Sequence, residues 1–332
     1  MAHMIEVKDL VLVYSNGTRA IDNISFNVKK GEFFGFLGPN GAGKSTTIKV
    51  LTTILRKTSG SVHISGYNLD KDAKEIRKMI GVQSQETSVD GDLTGRENLM
   101  LQGHFQQLSG KTLKDRVDEL LKLVDLQSFA DKRVRNYSGG MKKRLDLATT
   151  LVHRPPLIFL DEPTTGLDPQ SRSAIWSYLE ELNKEEKTTI FLTTQYMEEA
   201  DRLCKELAII DTGKIVASGS PSELKQQIGV DSIKISLQDC AKDKSTAIEL
   251  LKSLTGVANI TESGDCVTVF AKDASRLIAD IVRAFDSLGI RLSGVSFSSP
   301  TLDDVYLQKT GKRIRPEALV KTPSRGFGGR RR

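Results

Sequence analysis

A nine-residue glycine-rich loop constrains the fold of this chain more than any other feature. It spans residues 38–46 and satisfies the pattern G-x-x-x-x-G-K-[ST]. A largely apolar run, residues 32–37, precedes the loop, and residues 44–55, which contain neither glycine nor proline, follow it. Strand, loop and helix in this order present backbone N–H groups and the positive end of the helix to an anion. The sequence therefore predicts a phosphate-binding loop within an α/β fold, with a plain glycine-rich turn as the alternative.

ATP and Mg²⁺ are the cofactors that this loop predicts. Lys44 is expected to contact the β- and γ-phosphates, and the hydroxyl of Ser45 is expected to ligate Mg²⁺. The predicted nucleotide-binding residues of the loop are Gly38, Pro39, Asn40, Gly41, Ala42, Gly43, Lys44, Ser45 and Thr46.

Two consecutive carboxylates follow a second apolar run, residues 157–160. Because open α/β sheets bind ligands at the carboxyl ends of their strands, Asp161 and Glu162 are expected to lie near the phosphate loop. Asp161 is predicted to contribute to the nucleotide site and to the Mg²⁺ shell, and Glu162 to orient or deprotonate the attacking water. On its own, a strand that ends in acidic residues would also be consistent with a solvated surface.

A serine and two glycines precede the predicted helix at residues 141–152. Ser138, Gly139 and Gly140, with Tyr137 before them, place a hydroxyl and small residues at a helix N-terminus. Such a terminus can bind an anion, so these four residues are predicted to contact nucleotide; a simple helix cap is the alternative.

The order of apolar patterns predicts two domains and a tail. Residues 4–228 are expected to form an α/β phosphate-loop cassette with a mixed sheet core, an antiparallel β part and a helical insert at about 94–153. Residues 230–310 follow the order strand, helix, strand, strand, helix, strand, which predicts a small α+β ferredoxin-like module. The predicted strands are 5–14, 24–28, 32–37, 157–160, 188–193, 207–210, 232–237, 257–260, 266–270 and 290–297, and the predicted helices include 44–55, 97–108, 113–126, 141–152, 247–254 and 274–288.

The net charge of +6 originates in the C-terminal segment. Residues 311–332 contain eight basic residues and one acidic residue, so the remainder of the chain is close to neutral. This segment is predicted to be a disordered basic tail, with contact to anionic lipid or RNA as the alternative.

Apolar residues are too dispersed to predict a membrane span. No run approaches the roughly 18 apolar residues that such a helix needs, and the first residues contain no apolar signal core. The expectation is a soluble, cytoplasmic protein.

The motifs together resemble the nucleotide-binding subunit of ATP-binding cassette transporters. The resemblance covers residues 4 to about 225 and rests on the phosphate loop, Gln85, Ser138-Gly139-Gly140, Asp161-Glu162 and Gly166-Leu167-Asp168 in that order. It implies that Tyr14 stacks on adenine, although a core tyrosine is the alternative. It also implies that Gln85 contacts Mg²⁺ or the attacking water, although Gln83 leaves the register open.

The same resemblance implies a head-to-tail homodimer. Ser138 of one subunit would donate to the γ-phosphate held by the other, and Asp168 would lie across the dimer seam. Gln195 stands where most of the family has histidine; its amide can bond the γ-phosphate but cannot carry a proton near neutral pH. Glu162 is therefore the stronger base candidate.

Gln195, residues 197–201 and residues 301–307 resemble the daunorubicin/doxorubicin-resistance branch of exporters. That branch implies a separate permease of about six helices, docked through the helical insert and the residues around Gln85 at the inner face of the membrane. Two alternatives are an importer ATPase and a soluble cassette ATPase acting on ribosomes or DNA, although no specific nucleic-acid partner is expected. The module at 230–310 is left open between regulation, dimerisation and packing.

Overall fold

A computed structural model describes residues 3–228, 231–238, 240–263, 266–271 and 274–311. Contacts divide these residues into two compact units, with the border between Val216 and Ala217. The predicted basic tail falls outside the described residues from position 312 onward.

The first unit contains two sheets. Its strands are β1 (His3–Val13), β2 (Arg19–Lys29), β3 (Phe33–Leu37), β4 (Ser59–Ile64), β5 (Tyr67–Asn68), β6 (Ile80–Gln83), β7 (Leu157–Asp161), β8 (Thr189–Thr194), β9 (Glu206–Asp211) and β10 (Lys214–Gly219), the last of which runs past the border. One sheet is antiparallel with the order β2-β1-β4-β5, and the other has the order β10-β9-β3-β8-β7-β6. In the second sheet β3 pairs in parallel with β8 and β9, and β7 pairs in parallel with β6 and β8. This mixed architecture confirms the predicted fold class.

A cluster of phenylalanine rings joins the two sheets. Phe26 of β2 lies 5.6 Å from Phe34, 5.5 Å from Phe36 and 5.9 Å from Phe191, measured between ring centroids. Phe159 of β7 lies 5.5 Å from Phe191. Because β3, β7 and β8 are buried along their whole length, their apolar side chains fill this core and fix where the strands end.

Helices cover the parallel sheet and form the insert. They are α1 (Lys44–Leu51), α2 (Ala73–Met79), α3 (Gly95–Phe105), α4 (Gly110–Leu123), α5 (Gly139–Thr150), α6 (Pro169–Glu186) and α7 (Met197–Leu203). Helix α1 ends four residues before the predicted position 55, because Thr53 takes a left-handed backbone with φ 65°. The first turn of α3 is stabilised by a reciprocal capping box between Thr94 and Glu97.

The second unit contains an antiparallel sheet with helices. Its elements are α8 (Pro221–Ile228), β11 (Asp231–Leu237), α9 (Cys240–Ser253), β12 (Val257–Ser263), β13 (Cys266–Ala271), α10 (Ala274–Ser287), β14 (Leu292–Ser298) and α11 (Leu302–Thr310). The strand order β12-β13-β11-β14 confirms the predicted ferredoxin-like arrangement. Helix α8 packs against α11, so the unit begins upstream of the border predicted near residue 230.

Candidate nucleotide-binding site

A cavity of about 650 Å³ opens where the phosphate loop meets the carboxyl ends of the parallel strands. This volume lies within the usual range for small-molecule sites. The lining residues are Tyr14, Thr18, Arg19, Ala20, Asn40, Gly41, Gly43, Lys44, Ser45, Thr46, Gln85, Glu162, Thr212 and Gly213. Thr18, Arg19, Ala20, Thr212 and Gly213 were not predicted, since they lie at the start of β2 and in adjoining loops and turns that carry no chemical motif.

The loop bends tightly into α1 at Gly43. This residue has φ 107°, and a Cβ atom here would lie 2.6 Å from the carbonyl oxygen of Ala20. Glycine is therefore required both by the backbone angle and by the close approach of β2. The bend leaves the start of α1 facing the cavity.

Lys44 is held by three oxygen atoms. Its Nζ donates to the carbonyls of Gly38 at 2.8 Å and Pro39 at 3.0 Å, and lies 3.0 Å from Oε1 of Glu162. The side chains of Lys44 and Glu162 are each 4% exposed. The structure thus brings the predicted phosphate-binding cation and the predicted base into one buried ion pair.

Ser45 and Asp161 place two oxygen atoms side by side. The Ser45 hydroxyl donates to Oδ1 of Asp161 at 3.0 Å, and the Thr193 hydroxyl donates to the same oxygen at 2.6 Å. Hydroxyl and carboxylate oxygens are the ligands that Mg²⁺ prefers, so this donor set suits that ion. Thr193, which orients Asp161, was not predicted because nothing in the sequence distinguishes it from other strand threonines.

Glu162 has an unusual backbone conformation. Its φ of 51° lies in the left-handed region, which is uncommon for residues other than glycine. Its N–H donates to the carbonyl of Thr193 at 3.1 Å, and the Thr165 hydroxyl donates to its carboxylate at 3.2 Å. This turn aims Glu162 back toward Lys44 and the cavity.

Gln85 and Gln83 have different environments. Gln85 lines the cavity, whereas Gln83, at the end of β6, is 2% exposed and donates to Oδ2 of Asp146 at 3.2 Å. Of the two glutamines between which the sequence left the choice open, Gln85 is therefore the one that lies at the cavity.

Tyr14 stands at the rim of the cavity, directly after β1. Its hydroxyl lies 3.1 Å from the hydroxyl of Thr46, and the residue is 37% exposed. The ring is therefore partly accessible on the cavity side, unlike a core tyrosine.

The Tyr137–Gly140 segment does not contribute to the described lining of this cavity. Ser138 is the N-cap of α5, and its Oγ accepts a hydrogen bond from the N–H of Met141 at 3.2 Å. Tyr137 is 6% exposed and its hydroxyl donates to the carbonyl of Phe129 at 2.6 Å. The Tyr137 side chain therefore packs within the insert, which leaves its backbone and the neighbouring small residues for any nucleotide contact.

Comparison with known proteins identifies the family. The family model described as ABC transporter matches residues 21–165. The daunorubicin resistance ATP-binding protein of Streptomyces coeruleorubidus is 40% identical over 302 residues, which cover 90% of this chain and 94% of that protein. This chain belongs to the ABC transporter family.

Two further proteins support the same assignment. The doxorubicin resistance ATP-binding protein of Mycobacterium tuberculosis is 40% identical to this ABC chain and aligns over 88% of each. A solved dimeric structure of the ATP-binding cassette MJ0796, in a post-hydrolysis state with ADP and Pi, has a TM-score of 0.61. It is 29% identical and covers 65% of this chain and 98% of that one. The chain is thus an ATP-binding cassette of the ABC type.

Asp168 lies on the surface of the cassette, at the start of α6. Its carboxylate accepts hydrogen bonds from the N–H of Ser171 at 2.9 Å and from its hydroxyl at 2.6 Å. These bonds hold the pKa of Asp168 below its ordinary value. A Cβ atom at Gly140 would lie 2.7 Å from Oγ of Ser171, so the starts of α5 and α6 are in close contact.

Gln195 follows β8 and is 7% exposed. It does not belong to the described lining of the cavity, which includes Gln85 and Glu162.

A buried carboxyl group lies one turn after Gln195. Glu199 of α7 is 0% exposed, and its Oε1 accepts hydrogen bonds from Thr164 and from the indole of Trp176, both at 2.8 Å. Burial raises the pKa of Glu199 above its ordinary value of 4.5. The folded cassette therefore binds more protons at this group than the unfolded chain does, over the interval between the two pKa values.

We expect the Glu199→Gln substitution to change how the free energy of unfolding depends on pH. The stabilisation that the raised pKa of Glu199 contributes to the wild type is fully present below the unfolded pKa and is lost as the pH rises through the folded pKa. The amide of the variant does not titrate. The difference in free energy of unfolding, wild type minus variant, should fall as the pH rises above about 4.5. Denaturant unfolding of both proteins across a pH series measures it. A pH-independent difference between about pH 4 and 8 would refute the raised pKa.

Proposed function

We propose that this cassette is the ATP-hydrolysing subunit of a membrane exporter of drug-like compounds. The observation that carries the proposal is a cavity in which Lys44, Glu162 and the Ser45–Asp161 pair converge. Relatives of nearly the same length, named for daunorubicin and doxorubicin resistance, support the choice of exported compound.

In this proposal each group of cavity residues has a separate role toward the nucleotide. Lys44 leaves its carbonyl partners for the β- and γ-phosphates, while Tyr14 offers its ring to adenine. Ser45, Asp161 and Gln85 would hold Mg²⁺, which supplies neutralisation of phosphate charge when bound. Glu162 accepts the proton of the attacking water, and Gln195 offers an amide to the γ-phosphate.

A head-to-tail homodimer would complete each site. Ser138, Gly139 and Gly140 lie outside the described lining of the cavity of their own chain, and they occupy the N-terminus of a twelve-residue helix. Such a terminus favours an anion, so the γ-phosphate of a second copy is a fitting partner. Asp168, beside the same surface, would then meet the partner across the seam.

The proposed location is the cytoplasmic face of the membrane, against a separate permease. Within the described ranges, no helix combines the length and the apolar character that crossing a bilayer requires. In this proposal the compounds cross through the permease, which this subunit contacts through the helical insert and the residues around Gln85. Because the reported relatives carry drug-resistance names, export is favoured over the ribosome, DNA and importer alternatives.

Deletion of the gene in the source cells tests export. We expect the deletion strain to accumulate daunorubicin and doxorubicin severalfold over its parent, measured by their fluorescence in washed cells. Wild type should restore low accumulation and Glu162→Gln should not, because that variant lacks the base. Glu185→Gln, at an exposed position of α6, is the matched control and should restore it. Equal accumulation in the deletion and parent strains would overturn the exporter proposal.

A further inference from the structure

One turn of α5 holds the segment that carries Gln85. Residues 84–88, which we call the Gln85 segment, are exposed and belong to neither a helix nor a strand. The hydrogen bonds described for this segment are formed with Lys143, which donates, and with Asp146, which accepts. An irregular exposed segment with so few anchors takes its position from those anchors.

Lys143 provides the anchor closest to the cavity. Its Nζ donates to the carbonyl oxygen of Gln85 at 2.5 Å. Burial lowers the pKa of Lys143, while the nearby carboxylates of Asp146, Asp161 and Glu162 oppose this. The lysine therefore holds Gln85 from a position next to the carboxylates of the nucleotide site.

Asp146 provides the other anchor. It is 1% exposed, and its Oδ1 accepts hydrogen bonds from the N–H of Ser88 at 2.9 Å and from its hydroxyl at 2.7 Å. Its Oδ2 accepts from the amide of Gln83 at 3.2 Å. A buried carboxylate with three donors is a strong and directional constraint. Both ends of the Gln85 segment are therefore fixed to α5.

We propose that Lys143 and Asp146 are positioning residues that make the Gln85 segment and the N-terminus of α5 move as one body. This rests on the proposed function, in which Gln85 serves the nucleotide of its own chain and Ser138 serves that of a second copy. Entry of nucleotide beside Gln85 then sets where Ser138 is presented to the partner. Lys143 and Asp146 connect the two sites of the dimer without contacting either nucleotide.

A double-variant cycle between Lys143 and Gln85 tests the inference on the full chain. Lys143→Met is expected to lower kcat for ATP roughly tenfold with KM within about twofold, since misplacement costs rate more than binding. In a Gln85→Ala background the same change should have little further effect, because the side chain that Lys143 positions is already gone although the carbonyl it binds remains. Lys142→Met, the neighbouring lysine on the same helix, is the matched control and should leave kcat unchanged.

Asp146 offers a second, conservative comparison. Asp146→Asn keeps an acceptor for Ser88 and can donate to Oε1 of Gln83, which has no described partner, so most of kcat should be retained. Asp146→Ala removes all three bonds and should lose kcat as Lys143→Met does. Asp146→Ala should also weaken ATP-driven dimerisation when it is combined with Glu162→Gln, as measured by sedimentation.

The failures are distinguishable. Additive losses in the Lys143–Gln85 cycle, or equal kcat in Asp146→Asn and Asp146→Ala, overturn the inference while wild-type turnover leaves the proposed function intact. Absence of ATP turnover in wild type, or of dimerisation in Glu162→Gln, overturns the proposed function itself. Thermal unfolding of each variant separates a loss of fold from a loss of positioning.

Discussion

Lys44→Ala is expected to abolish both ATP binding and hydrolysis. Each charge-assisted hydrogen bond that Lys44 would form with the phosphates is worth about 1.5–3 kcal/mol, so losing two of them should weaken binding by on the order of 100-fold or more. Equilibrium titration with a fluorescent ATP analogue measures the change. Binding within about threefold of wild type would remove Lys44 from the phosphate site.

Two controls separate binding from folding in this variant. Lys49→Ala makes the same change at an exposed position of the same helix and should bind ATP normally. Lys44→Ala also leaves Glu162 buried without its cation, which costs about 3–5 kcal/mol of stability. The double variant Lys44→Ala/Glu162→Gln should recover most of that stability and still fail to bind ATP.

Glu162→Gln is expected to bind ATP and to turn it over at least about 100-fold more slowly, since a general base contributes roughly 10²–10⁴ in rate. The amide cannot accept the proton of the attacking water. It also releases Lys44 from a competing carboxylate 3.0 Å away, so ATP affinity should not fall. Single-turnover hydrolysis and equilibrium binding measure the two effects separately.

Glu185→Gln is the matched control, because this glutamate is exposed on α6. It should hydrolyse ATP at the wild-type rate. Normal hydrolysis by Glu162→Gln would instead show that Glu162 is not the base, and the proton would need another acceptor near the Ser45–Asp161 pair.

The best-predicted elements are those in which one face or the whole length is apolar. Residues 32–37 and 157–160 are buried throughout, so a continuous apolar run was sufficient to predict β3 and β7. Strand β4, with the residues Ser59-Gly-Ser-Val-His-Ile64, has two buried side chains and was not predicted. Its partner β1 determines its conformation through pairing, which local composition does not encode.

The candidate site was predicted as far as its motifs extend. The phosphate loop, Asp161 and Glu162 have residue types that the chemistry requires. In the structure Glu162 lines the cavity with residues of the loop, and Asp161 accepts a hydrogen bond from Ser45 of that lining. The position of Gln85 relative to Gln83, and the anchoring of the Gln85 segment by Lys143, depend on how the insert packs onto β6. That packing is a tertiary property, so no local pattern could predict it.

Trp176 has a practical consequence for spectroscopy. It is the single tryptophan of the chain, is 6% exposed, and donates its indole N–H to Glu199, one turn after Gln195. The guanidinium of Arg202 lies 5.3 Å from its ring. Excitation at the red edge of protein absorbance therefore reports one contact, between α6 and α7, without any label. A shift in Trp176 emission during ATP turnover would therefore report the rate of any rearrangement next to Gln195.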